Sequence, residues 1–325
     1  MKVLVTGANG FLSGHIIREL IRQGYEVRGM IRPGATTPAL KGLDVELFYG
    51  NLSNSDDICK AVTGCDVVIH AAADTSQAHR KVSDYFPINV VATETLISAI
   101  RQQGCKRMIY ISTANTFGLG SADVPGNEDT PPSEFMLKSG YAWSKFMAQT
   151  KVLEAVRNKQ IEAVIVNPTF MLGPDDYNPG SGRIFNMILG KRYVFCPPGG
   201  KNFVDVRDAA LAVVNAVEAG KNGECYLLAG TNLSYRNFFK TVKTRANQKG
   251  IIIGIHPILL KIAGKVGDFL KYAGCKFELN SVNASLLCRQ PFIDNSKAVK
   301  VLKLPVTDIN KTISDYLAWK ENIKK

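Results

Sequence analysis

The sequence predicts a doubly wound α/β fold, a parallel sheet with helices on both faces, joined to a smaller C-terminal lobe. Short apolar runs alternate with helix-period stretches through the first half. The first strand leads through a glycine-rich turn straight into the first helix, and regularity breaks at Asn167-Pro168-Thr169, beyond which Pro and Gly thicken. In order, strands are expected at 2–6, 26–31, 45–49, 67–72 and 107–112, with helices at 11–23, 55–62 and 89–103 between them. A helix at 144–159 and a strand at 163–166 continue the pattern. Gly173-Pro174-Asp175 and the glycines and prolines up to Gly200 suit loops at a cleft. A short strand at 204–206 and a helix at 207–218 follow, and helices at 238–249 and 259–272 fit the C-terminal lobe. The expected division is 1–170 for the sheet domain, which also receives the strand and helix of about 203–218, and 171–325 for the lobe. No internal repeat is evident.

At 325 residues, 46% hydrophobic and 21% charged, the composition is that of an ordinary globular chain able to bury a large core. The formal charge of +12 is spread along the sequence, with no Lys/Arg-rich block and no aromatic-basic stripe. It reads as a solvated basic surface, and a nucleic-acid partner is not expected. Met1 to Gly7 run directly into strand-like sequence, leaving no room for a cleaved leader, so a cytoplasmic protein is expected. The nearest approach to a membrane span, 251–263, carries His256, Pro257 and Lys261, and no span is expected. Seven cysteines, an odd number without a CxxC pair, read as reduced and mostly buried thiols. His15, His70, His79 and His256 show no HExxH or i, i+4 spacing with carboxylates, so no metal site is expected.

Thr6-Gly7-Ala8-Asn9-Gly10-Phe11-Leu12-Ser13-Gly14 lies where the first strand turns into the first helix. Glycine there permits positive φ and close backbone approach, and the helix N-terminus offers unpaired N–H groups to a pyrophosphate. Where such folds usually place an acid to hold the ribose 2′-hydroxyl, this chain has Ile31 and Arg32. A cation there favours a 2′-phosphate, so the expected cofactor is NADP rather than NAD, with Arg28 as a helper.

These motifs, with Gly64-Cys65-Asp66-Val67-Val68-Ile69-His70-Ala71-Ala72-Ala73, Asn89-Val90-Val91-Ala92-Thr93, Ile111-Ser112-Thr113-Ala114, Tyr141-Ala142-Trp143-Ser144-Lys145 and Asn167-Pro168-Thr169 through Gly173-Pro174, stand in a family order. The chain resembles the extended short-chain dehydrogenase/reductase (NAD-dependent epimerase/dehydratase) family, in the branch of dihydroflavonol reductase-like and 3β-hydroxysteroid dehydrogenase-like enzymes. The match covers about 1 to 210, with a weaker echo at Asp294-Asn295-Ser296-Lys297-Ala298. The resemblance implies a Rossmann domain whose dinucleotide lies against Gly7, Asn9, Gly10, Phe11, Leu12, Arg32, Asn51, Leu52, Ala71, Ala72, Ala73, Pro168 and Thr169. Tyr141 and Lys145 would meet its nicotinamide end. Two departures stand out: Ser13 replaces a glycine, with Gly14 one place later, and Asn51 replaces an adenine-binding aspartate while still offering an acceptor.

Hydride addition to a carbonyl needs a proton donor, and a phenol of ordinary acidity requires a cation beside it. Lys145, one turn beyond Tyr141, shares its helix face and is expected to draw the phenol's pKa down. Thr113 ends the fifth strand and matches the family's hydroxyl that orients the substrate oxygen; Thr113, Tyr141 and Lys145 are the expected catalytic group. Asn89 is expected to place a water or fix the turn near the active site, or else to cap a helix.

The resulting expectation is an NADP-dependent oxidoreductase reducing a ketone or aldehyde of a relatively apolar small molecule, or oxidising the alcohol. A nucleotide-sugar epimerase holding NAD is the alternative. Against it, Gly199-Gly200-Lys201-Asn202-Phe203 carries only Lys201 where epimerases place an Arg-containing stretch. Ala114-Asn115 after Thr113 disfavours dehydration, since dehydratases carry Asp-Glu there. A non-catalytic dinucleotide-binding regulator is the third reading. A homodimer is common in the family. The helix at 257–274, with Leu259, Ile262, Val266, Phe269 and Leu270 on one side, is expected to act as a lid or to pack on the core rather than to touch a membrane. Specificity is expected in loops near 75–86, 118–138 and 174–200.

Overall fold

A computed structural model describes residues 1–76, 79, 81–118, 120–133, 138–274 and 279–323. Cys275 and parts of the loops near 75–86 and 118–138 lie outside the described residues. β1 (Lys2–Thr6), α1 (Phe11–Arg22), β2 (Glu26–Ile31), β3 (Glu46–Tyr49), α2 (Ser55–Val62), β4 (Val67–His70), α3 (Ala92–Gln103) and β5 (Arg107–Ile111) follow the expected alternation. α4 (Gly140–Arg157) and β6 (Ala163–Pro168) complete the run. Seven parallel strands stand in the order β3-β2-β1-β4-β5-β6 and a last strand, β10 below. The chain order reverses between β1 and β4, and in doubly wound sheets the crevice at the strand C-termini beside such a reversal takes the ligand.

The strands are continuous apolar runs because both faces are covered. On one face Ile16, Ile17 and Leu20 of α1 pack with Val213 and Val217 of α5 (Val206–Ala219). On the other, Leu96 and Ile100 of α3 meet Ala148 and Val152 of α4. Helix starts follow local polar chemistry: Asn54 caps α2 through the Asp56 and Asp57 N–H groups, Ser139 caps α4 and Asp205 caps α5. Ser139 explains why α4 begins at Gly140 rather than 144: a glycine at the first helical position hides the start from propensity, and the cap supplies it. α3 likewise begins later than expected, after a π-helical turn at Pro87–Val91.

The strand expected near 204 is a correction. It is longer, β9 (Gly200–Asp205), and does not enter the main sheet. It pairs with β7 (Phe170–Leu172) and β11 (Thr231–Ser234) in a separate three-stranded sheet. The seventh place beside β6 is taken by β10 (Cys225–Leu228), a four-residue run too short for a periodicity signal. β8 (Tyr193–Cys196) and β12 (Ile251–Gly254) form a two-stranded sheet. An aromatic core joins this part of the chain: Phe203 stacks on Phe238 of α6 (Tyr235–Arg245) at 4.2 Å between ring centres, and Phe185 on Tyr316 at 3.9 Å. The remaining helices are α7 (Pro257–Tyr272), α8 (Ser281–Leu287), α9 (Ser296–Leu302) and α10 (Ile309–Asn322), the last bearing Tyr316. Among the described residues no helix is long and apolar enough to cross a membrane.

Candidate active site

A cleft of about 510 Å³ opens at the C-terminal ends of β1, β2 and β4. Gly7 forms its floor with φ +63°, and a Cβ there would lie 2.8 Å from the Ala72 Cα, so glycine is required by both conformation and space. Gly10 caps α1 without a side-chain bond, and the first turn holds no acid. The helix N-terminus therefore presents its free N–H groups to an anion. Asn9, Arg32, Asn51, Leu52, Ala71, Ala72 and Ala73 line the same cleft. The fit to a dinucleotide is good: a glycine cradle, an uncapped helix start and a volume in the range of ligand pockets.

Arg32 is exposed at the end of β2 and lines the cleft. Arg28 does not help it. Its guanidinium donates to Glu46 at 2.9 Å and to the Ala61 and Thr63 carbonyls at 2.9 and 2.8 Å, which ties it down well short of the strand end where Arg32 stands. The Asn51 side-chain carbonyl accepts the Ser53 N–H at 2.9 Å, shaping the loop after β3. Ser13 is buried in α1 without disturbing the helix, and Gly14 beside it leaves room for Ala39, whose Cβ a side chain would meet at 3.0 Å. Phe11 and Leu12 form the first turn of α1 and carry the first free N–H groups of that helix start. Asp74, Thr75, Ser76 and Ile88 also line the cleft and carry no motif of their own, so no sequence signal marks them.

α4 places the half-buried Tyr141 and the buried Lys145 one turn apart. The nearby Thr113 hydroxyl favours ionisation of the phenol, but desolvation dominates and pushes Tyr141 up to about 12. Lys145 donates to the Ile111 carbonyl at 2.7 Å and lies over the Tyr110 ring at 4.3 Å, and burial pushes its ammonium down to about 7. This corrects the expectation that Lys145 lowers the Tyr141 pKa: in the protein alone, desolvation moves the two groups apart, and Lys145 spends its proton on backbone. Thr113 is held from behind, where its carbonyl accepts from Thr116 Oγ1 at 2.8 Å and Asn167 Nδ2 at 3.2 Å. Ser112 Oγ and Asn167 Oδ1 nearby are buried with no protein partner, a polar surplus of the kind functional sites retain.

A hydrogen-bond relay links cleft floor to α4. The Ala72 N–H donates to Thr6 Oγ1 at 3.2 Å, which directs the Thr6 hydroxyl proton to His70 Nδ1 at 2.7 Å. His70 Nε2–H then donates to Thr93 Oγ1 at 3.2 Å, and Thr93 to the Asn89 carbonyl at 2.8 Å. Asn89 neither caps a helix nor faces the cleft. Its side chain grips the Asp74 backbone at both N–H and C=O and donates to Ser144 Oγ at 2.9 Å, and Ser144 in turn donates to the Tyr141 carbonyl at 2.8 Å. Burial holds His70 down to about 3, so this imidazole is neutral.

Thr113 faces a second, smaller cavity of about 110 Å³. Pro168, the last residue of β6 and paired with Leu228, and Thr169 line this cavity and not the larger cleft. Ala114, Asn115 and Lys201 complete much of its wall.

Two further expectations change. Of the six described cysteines only Cys65 and Cys196 are buried; the other four are half-buried, and all six are free thiols. α7 is not packed on the core along its apolar side: Ile258, Leu259, Ile262, Val266 and Phe269 are each more than half exposed. Among the described residues no cluster of His, Cys, Asp or Glu could hold a metal ion.

The model of the family described as NAD dependent epimerase/dehydratase matches residues 3–229. The chain is similar to sterol demethylase protein B of Methylococcus capsulatus, at 30% identity over 327 residues and 98% of each chain. It is also similar to a 4-hydroxy-2-methyl-3-oxo-4-farnesyl-3,4-dihydroquinoline-1-oxide ketoreductase of Stigmatella aurantiaca, at 29% identity over 276 residues, 83% of this chain and 80% of that one. Among solved structures, that of gox2253 matches with a TM-score of 0.87 and 29% identity, covering 99% of this chain and 98% of the other.

Proposed function

The chain belongs to the NAD dependent epimerase/dehydratase family and is an NAD(P)-dependent enzyme of the short-chain dehydrogenase/reductase type, and we propose that it is an NADP-dependent oxidoreductase acting on a ketone or aldehyde, or the matching alcohol, of a relatively apolar small molecule. The observation that carries this reading is the placement of the Tyr141 phenol beside the Thr113 hydroxyl at the end of β5, with Lys145 one turn further along α4. Tyr141 Oη gives its proton to the substrate oxygen, and Thr113 Oγ1 orients that oxygen. Lys145, anchored on the Ile111 carbonyl one turn further along α4, meets the nicotinamide end of the dinucleotide. The dinucleotide, when bound, supplies or accepts the hydride. Gly7, Gly10 and the α1 N-terminus hold its phosphates, with Asn51, Leu52 and Ala71 to Ala73 along the cleft wall. Residues 1–170 form the dinucleotide-binding part and 171–325 contribute mainly the substrate side.

An apolar carbonyl substrate is supported by the names of the relatives, a sterol demethylase protein and a ketoreductase of a farnesylated quinoline oxide. Ala114 and Asn115, where dehydratases carry Asp-Glu, support simple reduction or oxidation over dehydration. Arg32 supports NADP, since a guanidinium at the end of β2 pairs with a 2′-phosphate. Calorimetric titration of cofactor-stripped protein tests this. NADPH binds more tightly than NADH, and Arg32→Ala lowers the NADPH affinity by about 10- to 100-fold, the worth of a charge-assisted hydrogen bond, with little change for NADH. Equal affinities, or tighter NADH, would overturn the assignment and turn attention to an epimerase that retains NAD.

A further inference from the structure

We infer that Tyr110 is a positioning residue for Lys145: its ring seats the ammonium at the nicotinamide end of the cleft and keeps it charged there without a carboxylate. This deepens the oxidoreductase reading and rests on it. β5 stands between β4 and β6 in the sheet, and Tyr110 lies in register with His70 on one side and Ile165 on the other. It is wholly buried. The Lys145 Nζ lies 4.3 Å from the centre of the Tyr110 ring and donates to the carbonyl of the next residue, Ile111, at 2.7 Å. Two successive residues of β5 therefore receive one buried cation, the first through its π face and the second through its backbone.

An ammonium taken out of water without a counter-charge is costly. The groups packed around this one bring no acid to it. Tyr141 stands one turn back on α4, His70 of β4 faces Tyr110 at 5.8 Å between ring centres, and Thr93 of α3 and Thr113 after β5 offer hydroxyls. Asp74 of the cleft wall pairs with His79 at 2.7 Å, and Glu94 of α3 pairs with Lys151 of α4 at 3.3 Å. Among the described residues no carboxylate pairs with Lys145, and desolvation moves it down to about 7. The negative face of the Tyr110 ring offsets part of that cost, and a ring–cation contact is worth most where water is excluded.

A ring does in this place what an acid would not. A carboxylate beside Lys145 would hold the charge firmly, but it would also set a negative charge near the Tyr141 phenol and an anionic cofactor, opposing the ionisation of one and the binding of the other. The ring steadies the ammonium and carries no net charge. An ammonium has three N–H donors; with one spent on Ile111 and the ring beside it, Lys145 keeps a donor for a hydroxyl of the dinucleotide. The Lys145 charge in turn adds to the burial that holds His70 neutral, so the imidazole does not repel it.

The test reads the ammonium directly, by NMR titration of protein carrying carbon-13 at lysine Cε, in which the Lys145 signal is the one absent from Lys145→Met. Its midpoint is expected at about 7. Tyr110→Phe keeps the ring and leaves that midpoint within about 0.3 pH unit, whereas trifluorophenylalanine at position 110, of nearly the same shape with electrons drawn off its face, lowers it by about one pH unit. Tyr110→Leu lowers it as well; should that variant fail to fold, the fluorinated ring decides alone. Equal midpoints for the plain and the fluorinated ring, or a higher one for the fluorinated ring, would overturn the inference. Calorimetric titration with NADPH at about pH 8 reads the consequence: the fluorinated variant binds about five- to tenfold more weakly than Tyr110→Phe, as the charged fraction of Lys145 falls. Equal affinities there would overturn the role of the charge in holding the dinucleotide. A wild type that binds no dinucleotide would defeat the oxidoreductase reading, and the NMR midpoints would then judge Tyr110 alone.

Discussion

Tyr141→Phe lowers kcat by about 10²- to 10⁴-fold, the usual worth of a positioned general acid. Burial places the phenol's pKa at about 12, so Tyr141 Oη holds its proton throughout the neutral range and is the reservoir from which the reduced substrate oxygen is protonated. Phenylalanine keeps the ring's packing against Tyr85, at 6.4 Å between centres, and deletes only the hydroxyl. Thr113→Ala gives a smaller loss, because it removes the orienting hydroxyl and leaves the proton donor, now without the neighbouring hydroxyl that favours its ionisation. Steady-state reduction of a carbonyl substrate by the two variants checks the ranking. Should Tyr141→Phe retain turnover within a few-fold of wild type, the proton passes through another group and the proposed chemistry is wrong.

Acidification destabilises the protein through His70. The imidazole titrates near 6.5 in the unfolded chain and is held down to about 3 in the fold by burial, with the Lys145 charge adding to the shift. Between those values the unfolded state binds a proton that the folded state refuses. The stability is present above about pH 6.5 and is lost as pH falls, by up to one proton's worth per pH unit, or about 2 kcal/mol between pH 6.5 and 4.5. His15 is lowered in the same direction, chiefly by burial, so a total slope does not identify its source. Comparison with His70→Gln does: denaturant midpoints measured from pH 7.5 to 4.5 fall less steeply in the variant by about one proton's worth. Parallel pH profiles for the two proteins would show that His70 is not the acid-sensitive group. His70→Gln also loses part of the relay between Ala72 and Asn89, so at neutral pH it is the less stable protein.

Much of the frame was readable because it rests on local rules. The glycine turn at Gly7 and Gly10 follows from backbone conformation at one strand–helix junction, and Tyr141 and Lys145 share a face because a helix returns after four residues. Elements whose existence depends on a partner were harder. β10 has four residues and becomes the seventh strand only because β6 is open beside it, while β9 has a clear strand pattern yet pairs elsewhere. Pro168 and Thr169, adjacent to the motif at Asn167, turn toward the small cavity because β6 ends there and β7 bends into another sheet.

The sequence by itself determined the doubly wound order, the glycine turn at the first strand–helix junction, and the helix face that Tyr141 and Lys145 share. Those properties come from periodicity and from short-range geometry, which adjacent residues specify. Only the tertiary structure decided that Arg28 is bound to Glu46, that Asn89 grips Asp74, and that burial drives the Tyr141 and Lys145 pKa values in opposite directions. It also decided that Lys201 and Thr113 line one small cavity and that α7 turns its apolar side outward. Desolvation and long-range contact are the reason: both depend on what the folded chain packs around a group, and no stretch of neighbouring sequence contains that information.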